Sequence, residues 1–121
     1  MVTGSSGLVG SHVLYDLMQK KDPVLAMYRS EKRKARVQQL FNHYNQTLNK
    51  SVDYEAIQWV QSDILDIDSF EQAVKRADRV IHCAALVSFH KMDFSRCISM
   101  NRTGTANVVN LCLKHGIKKL C

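Results

Sequence analysis

Apolar positions along the chain alternate between two periods. Short continuous apolar runs mark strands buried on both faces, and longer stretches with apolar residues every three or four positions mark helices. Met1–Thr3 predicts a first strand, and a helix from about Gly7 to Lys20 follows, with Gly10, Val13, Leu14 and Leu17 on one face. Asp22-Pro23 breaks it before a second strand, Val24–Tyr28. Ser30 is placed to N-cap a helix in which Val37, Leu40, Phe41, Tyr44 and Leu48 share a stripe, ended by Asn49-Lys50-Ser51. Ala56–Gln61 predicts strand three. Ser69 and Gln72 predict a capping box for a helix carrying Phe70, Ala73, Val74 and Ala77. Arg79–Ala84 predicts strand four, inside the run Val80-Ile81-His82-Cys83-Ala84-Ala85. A long helix begins near Asp93 and is firmest from Thr103 to His115, with Thr105, Val108, Val109 and Cys112 on one face and Gly116 at its C′ position. Ile117–Cys121 predicts a fifth strand.

Strands alternating with helices through short links imply α/β architecture: a doubly wound parallel sheet, in the order 3-2-1-4-5, covered by helices on both faces. Met1–Thr3 is short for a central strand and the fifth strand stops at the last residue, so an incomplete sheet of marginal stability is expected.

Composition changes this picture little. The 121 residues make at most one domain, 45% hydrophobic and 23% charged, as in soluble globular chains. No apolar run approaches a membrane span and no secretory leader pattern opens the chain. Cys83, Cys97, Cys112 and Cys121 show no metal-binding or disulfide spacing, which suits reduced thiols in the cytoplasm, and no metal site is expected. The net charge of +6 gathers partly in Lys32, Arg33, Lys34 and Arg36, read as a solvated helix face rather than a nucleic-acid surface.

The candidate chemistry begins at Gly4-Ser5-Ser6-Gly7-Leu8-Val9-Gly10, a glycine-rich turn between a strand and a helix. Such a turn brings backbone N–H groups and a helix N-terminus up to a pyrophosphate. Gly4 suits the tight turn, Gly7 the approach of phosphate, and Gly10 close packing of helix on strand. An acidic residue about 20 positions past the loop would hold the ribose hydroxyls of NAD. Arg29 stands there instead, and a guanidinium grips a 2′-phosphate, so NADP is expected over NAD. Lys32 is the neighbouring cation that could assist. Asp63 and Ile64, after strand three, suit the adenine amino group and ring, although Asp63 also reads as a turn residue, as Asp66 and Asp68 do. Ala84 and Ala85, at the end of strand four, are small enough for a cofactor to lie against backbone, or simply pack tightly. His82 reads as a satisfied core histidine.

Taken together, T-G-x-x-G-x-x-G (Thr3 to Gly10), S-D-I-L-D (Ser62 to Asp66), H-C-A-A (His82 to Ala85) and N-x-x-G-T-x-N (Asn101 to Asn107) occur in order. They resemble the extended short-chain dehydrogenases/reductases, also called NAD-dependent epimerase/dehydratases, which have a Rossmann fold. That group includes sugar-nucleotide epimerases, dihydroflavonol reductases and 3β-hydroxysteroid dehydrogenases; Arg29 looks more like the dihydroflavonol-reductase branch than the sugar epimerases. The resemblance implies an NAD(P)-binding portion, residues 1–121, of an enzyme that moves hydride between NADP(H) and a carbonyl or secondary alcohol. A small-molecule substrate and a homodimer are implied for the full-length protein. By the same likeness Gly4, Gly7 and Gly10 meet the pyrophosphate, Asp63 and Ile64 the adenine, Ala84 and Ala85 the ribose side, and Asn101 orients a supporting helix. An epimerase or dehydratase with tightly held NAD, and a non-catalytic NADP(H) sensor, are the rival readings. The family's catalytic Tyr-x-x-x-Lys, with its upstream Ser or Thr, is expected past strand five. Tyr28 and Lys32 match that spacing at the adenosine end, where the match is coincidental. No catalytic residue is expected within the chain, and the chain alone is expected to be inactive.

Overall fold

The computed structural model describes all 121 residues. Five parallel strands, β1 (Val2–Thr3), β2 (Leu25–Tyr28), β3 (Gln58–Gln61), β4 (Arg79–His82) and β5 (Lys119–Leu120), lie in the order β3-β2-β1-β4-β5. This is the order predicted. The register pairs Val2 with both Ala26 and Ile81, and sets Tyr28 beside Gln61. Helices α1 (Leu8–Gln19), α2 (Glu31–Thr47), α3 (Ile67–Val74), α4 (Phe94–Ile98) and α5 (Thr105–Lys114) connect the strands.

Two apolar clusters, one for each face of the sheet, follow from this order. Leu14, Tyr15 and Met18 of α1 pack with Val37 and Phe41 of α2 against Val2 and Ala26. Phe70 and Val74 of α3 pack with Val108, Leu111 and Cys112 of α5 against Met27 and Val80. Phe41 and Phe70 are fully buried, and each contributes about 2–3 kcal/mol of transfer free energy.

Several local expectations need correction. The buried stripe of α1 runs through Gly10, Ser11, Leu14, Tyr15 and Met18, with Val13 and Leu17 at its margin. The aromatic ring of Tyr15 is drawn in by edge contacts with Phe41 and Tyr44. The Ser69/Gln72 capping box does not form. Asp66 is the N-cap of α3 and accepts from the Ser69 N–H, which places Ser69 inside the first turn. Ser30 occupies the N-cap position of α2 without a side-chain hydrogen bond. Strand β3 starts at Gln58 because the Ile57 N–H turns back to Tyr54. Strand β4 stops at His82 because the Ala84 N–H is taken by the Thr3 hydroxyl. The long last helix is a single 3₁₀ turn (Lys91–Asp93) and α4, then a π-helical stretch, Ser99–Gly104, before α5.

Candidate nucleotide-binding site

Parallel strands send all their C-terminal ends to one edge, and the loops leaving β1, β2, β3 and β4 surround an open cleft of about 470 Å³ there. Gly4, Ser6 and Gly7 form one wall, Tyr28 to Ser30 with Arg33 a second, Asp63 and Ile64 a third, and Cys83 to Ala85 the fourth.

The glycine loop is fixed by backbone contact. Gly4 has φ +63°, and a Cβ there would lie 2.6 Å from the Ala84 Cα and N. A Cβ on Gly10 would lie 2.3 Å from the Gly4 carbonyl oxygen, so α1 can pack this close to the loop only through a glycine. Gly7 is the N-cap of α1, accepts from the Ser11 N–H at 3.0 Å, and offers no side chain of its own. The first-turn amides of α1 therefore have no side-chain cap, and the first turn carries no acidic residue. A helix start in this state favours an anion.

The other predicted residues divide by position. Ser5 lies beneath the loop, fully buried, with its hydroxyl donating to the Val2 carbonyl at 2.7 Å. Leu8 and Val9 are exposed on the first turn of α1. Arg29, Asp63, Ile64, Ala84 and Ala85 all line the cleft. Lys32 does not. One position further along α2, Arg33 takes the place expected of Lys32, because the helix start at Glu31 turns that side chain toward the sheet edge. Asp63 accepts from the Leu65 N–H through Oδ1 at 3.0 Å and from Arg29 Nη1 through Oδ2 at 3.2 Å, so the turn role is present alongside its place in the cleft. Ile64 is buried, held between the cleft and Gly104, where a Cβ would come within 2.5 Å of its Cδ1.

Asn101 stands apart from the main cleft. It grips Leu86 from both sides, accepting from the Leu86 N–H and donating to the Leu86 carbonyl, both at 2.8 Å. The π-helical stretch is thereby tied to the loop leaving β4. Asn107 ties α5 to the next loop by donating to the Ile64 carbonyl at 2.9 Å.

Sequence reasoning placed His82 in the core without finding its partners. Its Nδ1 lies 2.7 Å from the Thr3 hydroxyl and its Nε2 3.1 Å from the Thr105 hydroxyl, while the Ala84 N–H donates to Thr3. A neutral ring protonated at Nε2 satisfies every group once: Ala84 donates to Thr3, Thr3 to His82, and His82 to Thr105. Burial lowers the His82 pKa, which favours this neutral form. The chain of hydrogen bonds fixes Ala84, the same residue against which Gly4 packs. The Thr in T-G-x-x-G and the Thr in G-T-x-N were both visible in sequence; their convergence on one histidine was not.

Tyr28 donates its hydroxyl to Glu31 Oε1 at 2.5 Å, a bond that raises the phenol's pKa, and Lys34 rather than Lys32 sits over its ring at 4.8 Å.

A nicotinamide nucleotide fits these residues: a loop too close for side chains, an uncapped helix start and two guanidinium groups meet in one cleft. The chain is similar to sterol-4-alpha-carboxylate 3-dehydrogenase, decarboxylating, of Dictyostelium discoideum, with 27% identity over 92% of this chain and 29% of that protein. Among solved structures it superposes on Pen from Bacillus thuringiensis with a TM-score of 0.77 and 27% identity, over 98% of this chain and 35% of that one. It shares its fold with Thermus thermophilus UDP-glucose 4-epimerase, solved in complex with NAD (TM-score 0.69, 23% identity, 98% of this chain and 35% of that one). The chain thus spans about a third of the length of these relatives. The extended short-chain dehydrogenase/reductase grouping expected from the motifs holds, and within it one family's sequence model matches residues 1–121 from end to end. The chain belongs to the 3-beta hydroxysteroid dehydrogenase/isomerase family.

Proposed function

We propose that this chain is the nucleotide-binding portion of an oxidoreductase that transfers hydride between NADP(H) and a carbonyl or secondary alcohol. The observation that carries the reading is the cleft itself, where the uncapped start of α1 faces a rim bearing Arg29 and Arg33. The first-turn amides of α1 and the Gly4–Gly7 backbone would hold the pyrophosphate. Arg29 and Arg33 would hold a 2′-phosphate, Asp63 and Ile64 the adenine, and Ala84 and Ala85 the ribose side. When bound, the nicotinamide supplies the hydride chemistry; the residues named here bind and orient it. The groups that would act on the substrate belong, by family likeness, to sequence beyond strand five.

Titration with NADPH and NADH, followed by nicotinamide fluorescence, tests the reading. Tighter binding of NADPH is expected; equal or tighter binding of NADH overturns the NADP preference. An epimerase with firmly held NAD is a second reading, favoured by the shared fold with an epimerase solved with NAD. It predicts that full-length protein retains NAD through purification.

A further inference from the structure

Two residues expected to touch different parts of the nucleotide touch each other: Arg29 Nη1 donates to Asp63 Oδ2 at 3.2 Å. We propose that Asp63 sets nucleotide specificity through Arg29, by holding a guanidinium that a 2′-phosphate must win away. This rests on the nucleotide reading of the cleft.

The geometry makes the two partners unequal. Asp63 is anchored, since its Oδ1 accepts from the Leu65 N–H at 3.0 Å and fixes the carboxylate on the turn after β3. Arg29 is the less constrained partner, with about half of its side chain exposed and one monodentate contact to the acid. An exposed pair of this kind is weak, so the guanidinium can exchange to a better anion. A dianionic phosphate, gripped bidentately, is such an anion. Arg33 lines the same cleft and forms no ion pair with any carboxylate. The rim therefore holds two guanidinium groups and one carboxylate, one cation already available and one held in reserve. A nucleotide without a 2′-phosphate leaves Arg29 to Asp63 alone; one with it must share the guanidinium with the acid or take it. Asp63 thus tempers a preference that the two arginines alone would make stronger.

The test compares 2′,5′-ADP with 5′-AMP, which differ by the 2′-phosphate alone, in calorimetric titrations of the chain. Asp63→Asn keeps an oxygen for the Leu65 N–H and removes the charge. It should raise the ratio of the two affinities by about fivefold, the upper end of what one exposed ion pair is worth. Asp63→Ser, which also keeps an acceptor for the turn, should move the ratio the same way and serves if the first variant folds poorly. On an Arg29→Ala background the Asp63→Asn effect should shrink to less than about twofold, the signature of an effect passed through the arginine. An unchanged ratio in both Asp63 variants, or an equal rise without Arg29, overturns the proposal while leaving the nucleotide site standing. Failure of the unaltered chain to bind either compound overturns the nucleotide reading and the proposal with it.

Discussion

Gly10→Ala puts a methyl group where the structure has a carbonyl oxygen. The new Cβ would lie 2.3 Å from the Gly4 oxygen, 2.8 Å from the Gly4 carbonyl carbon and 2.9 Å from the Ser5 Cα. All three are backbone atoms, so no rotamer change relieves the overlap. The N-terminus of α1 must move away from the loop by on the order of 1 Å to regain van der Waals contact. Overpacking of this kind costs about 1–3 kcal/mol, and at this chain length each kcal/mol lowers Tm by roughly 4 °C. Two neighbouring glycines give the controls. A Cβ on Gly7 meets only the Gly4 oxygen at 3.2 Å, so Gly7→Ala should cost at most about 1 kcal/mol, most of it the loss of a favourable N-cap residue. A Cβ on Gly116 meets nothing within 4 Å, but φ is +63°, so Gly116→Ala should cost about 1 kcal/mol of backbone strain alone. Urea denaturation of the three variants measures the order directly. Nucleotide titration adds a second readout, because moving α1 spoils the alignment of its first-turn amides; Gly10→Ala should bind nucleotide at least about tenfold more weakly. Gly10→Ala no less stable than Gly7→Ala would refute the argument that close backbone packing built this loop.

Further expectations concern stability. Lys21 closes α1 with φ +59°, so Lys21→Gly should stabilise the chain by about 0.5–1 kcal/mol in urea denaturation. Glu71 accepts from Lys114 at 2.7 Å and from His115 at 2.6 Å, and these bonds lower its pKa to about 2. Its contribution is therefore fully present above pH 4.5 and fades as pH falls from there toward 2, a slope that Glu71→Gln should abolish in acid titrations. Burial lowers the His82 pKa below 6.5, so the folded state should also lose stability as pH drops below 6.5, a loss absent from a His82→Gln variant. Val87, Phe89 and Met92, in the segment after β4, are largely or wholly exposed, and β1 and β5 have two residues each. The chain should unfold below about 60 °C in calorimetry, within the mesophile range.

What the sequence made legible was set by local rules. The parallel sheet followed from β/α alternation, and its order from the glycine-rich turn after the first strand, which marks the centre of a doubly wound sheet. The spans of α1 and α2 followed from breakers: α1 runs between its caps Gly7 and Lys20, just short of Asp22-Pro23, and α2 ends one residue before Leu48 and two before Asn49, which has φ +49°. What escaped depended on contacts between distant residues. The choice of Arg33 over Lys32 depends on where α2 starts, a matter of one residue that charge composition does not report. The π-helical stretch could not be read from periodicity. It coincides with the double bond from Asn101 to Leu86 and the close approach of Gly104 to Ile64, both joining elements far apart in sequence. The Arg29–Asp63 pair and the Thr3–His82–Thr105 chain arise the same way, from side chains that only the parallel sheet brings to one edge.

The most direct test of the account is to map backbone amide shifts by NMR as NADP⁺ is added to the chain. The predicted result is a saturable set of changes confined to Gly4–Gly10, Arg29–Arg33, Asp63–Ile64 and Ala84–Ala85, the four walls of one cleft. Changes centred instead on the outer face of α2, or no saturable change at all, would contradict the claim that this sheet edge is a nucleotide site.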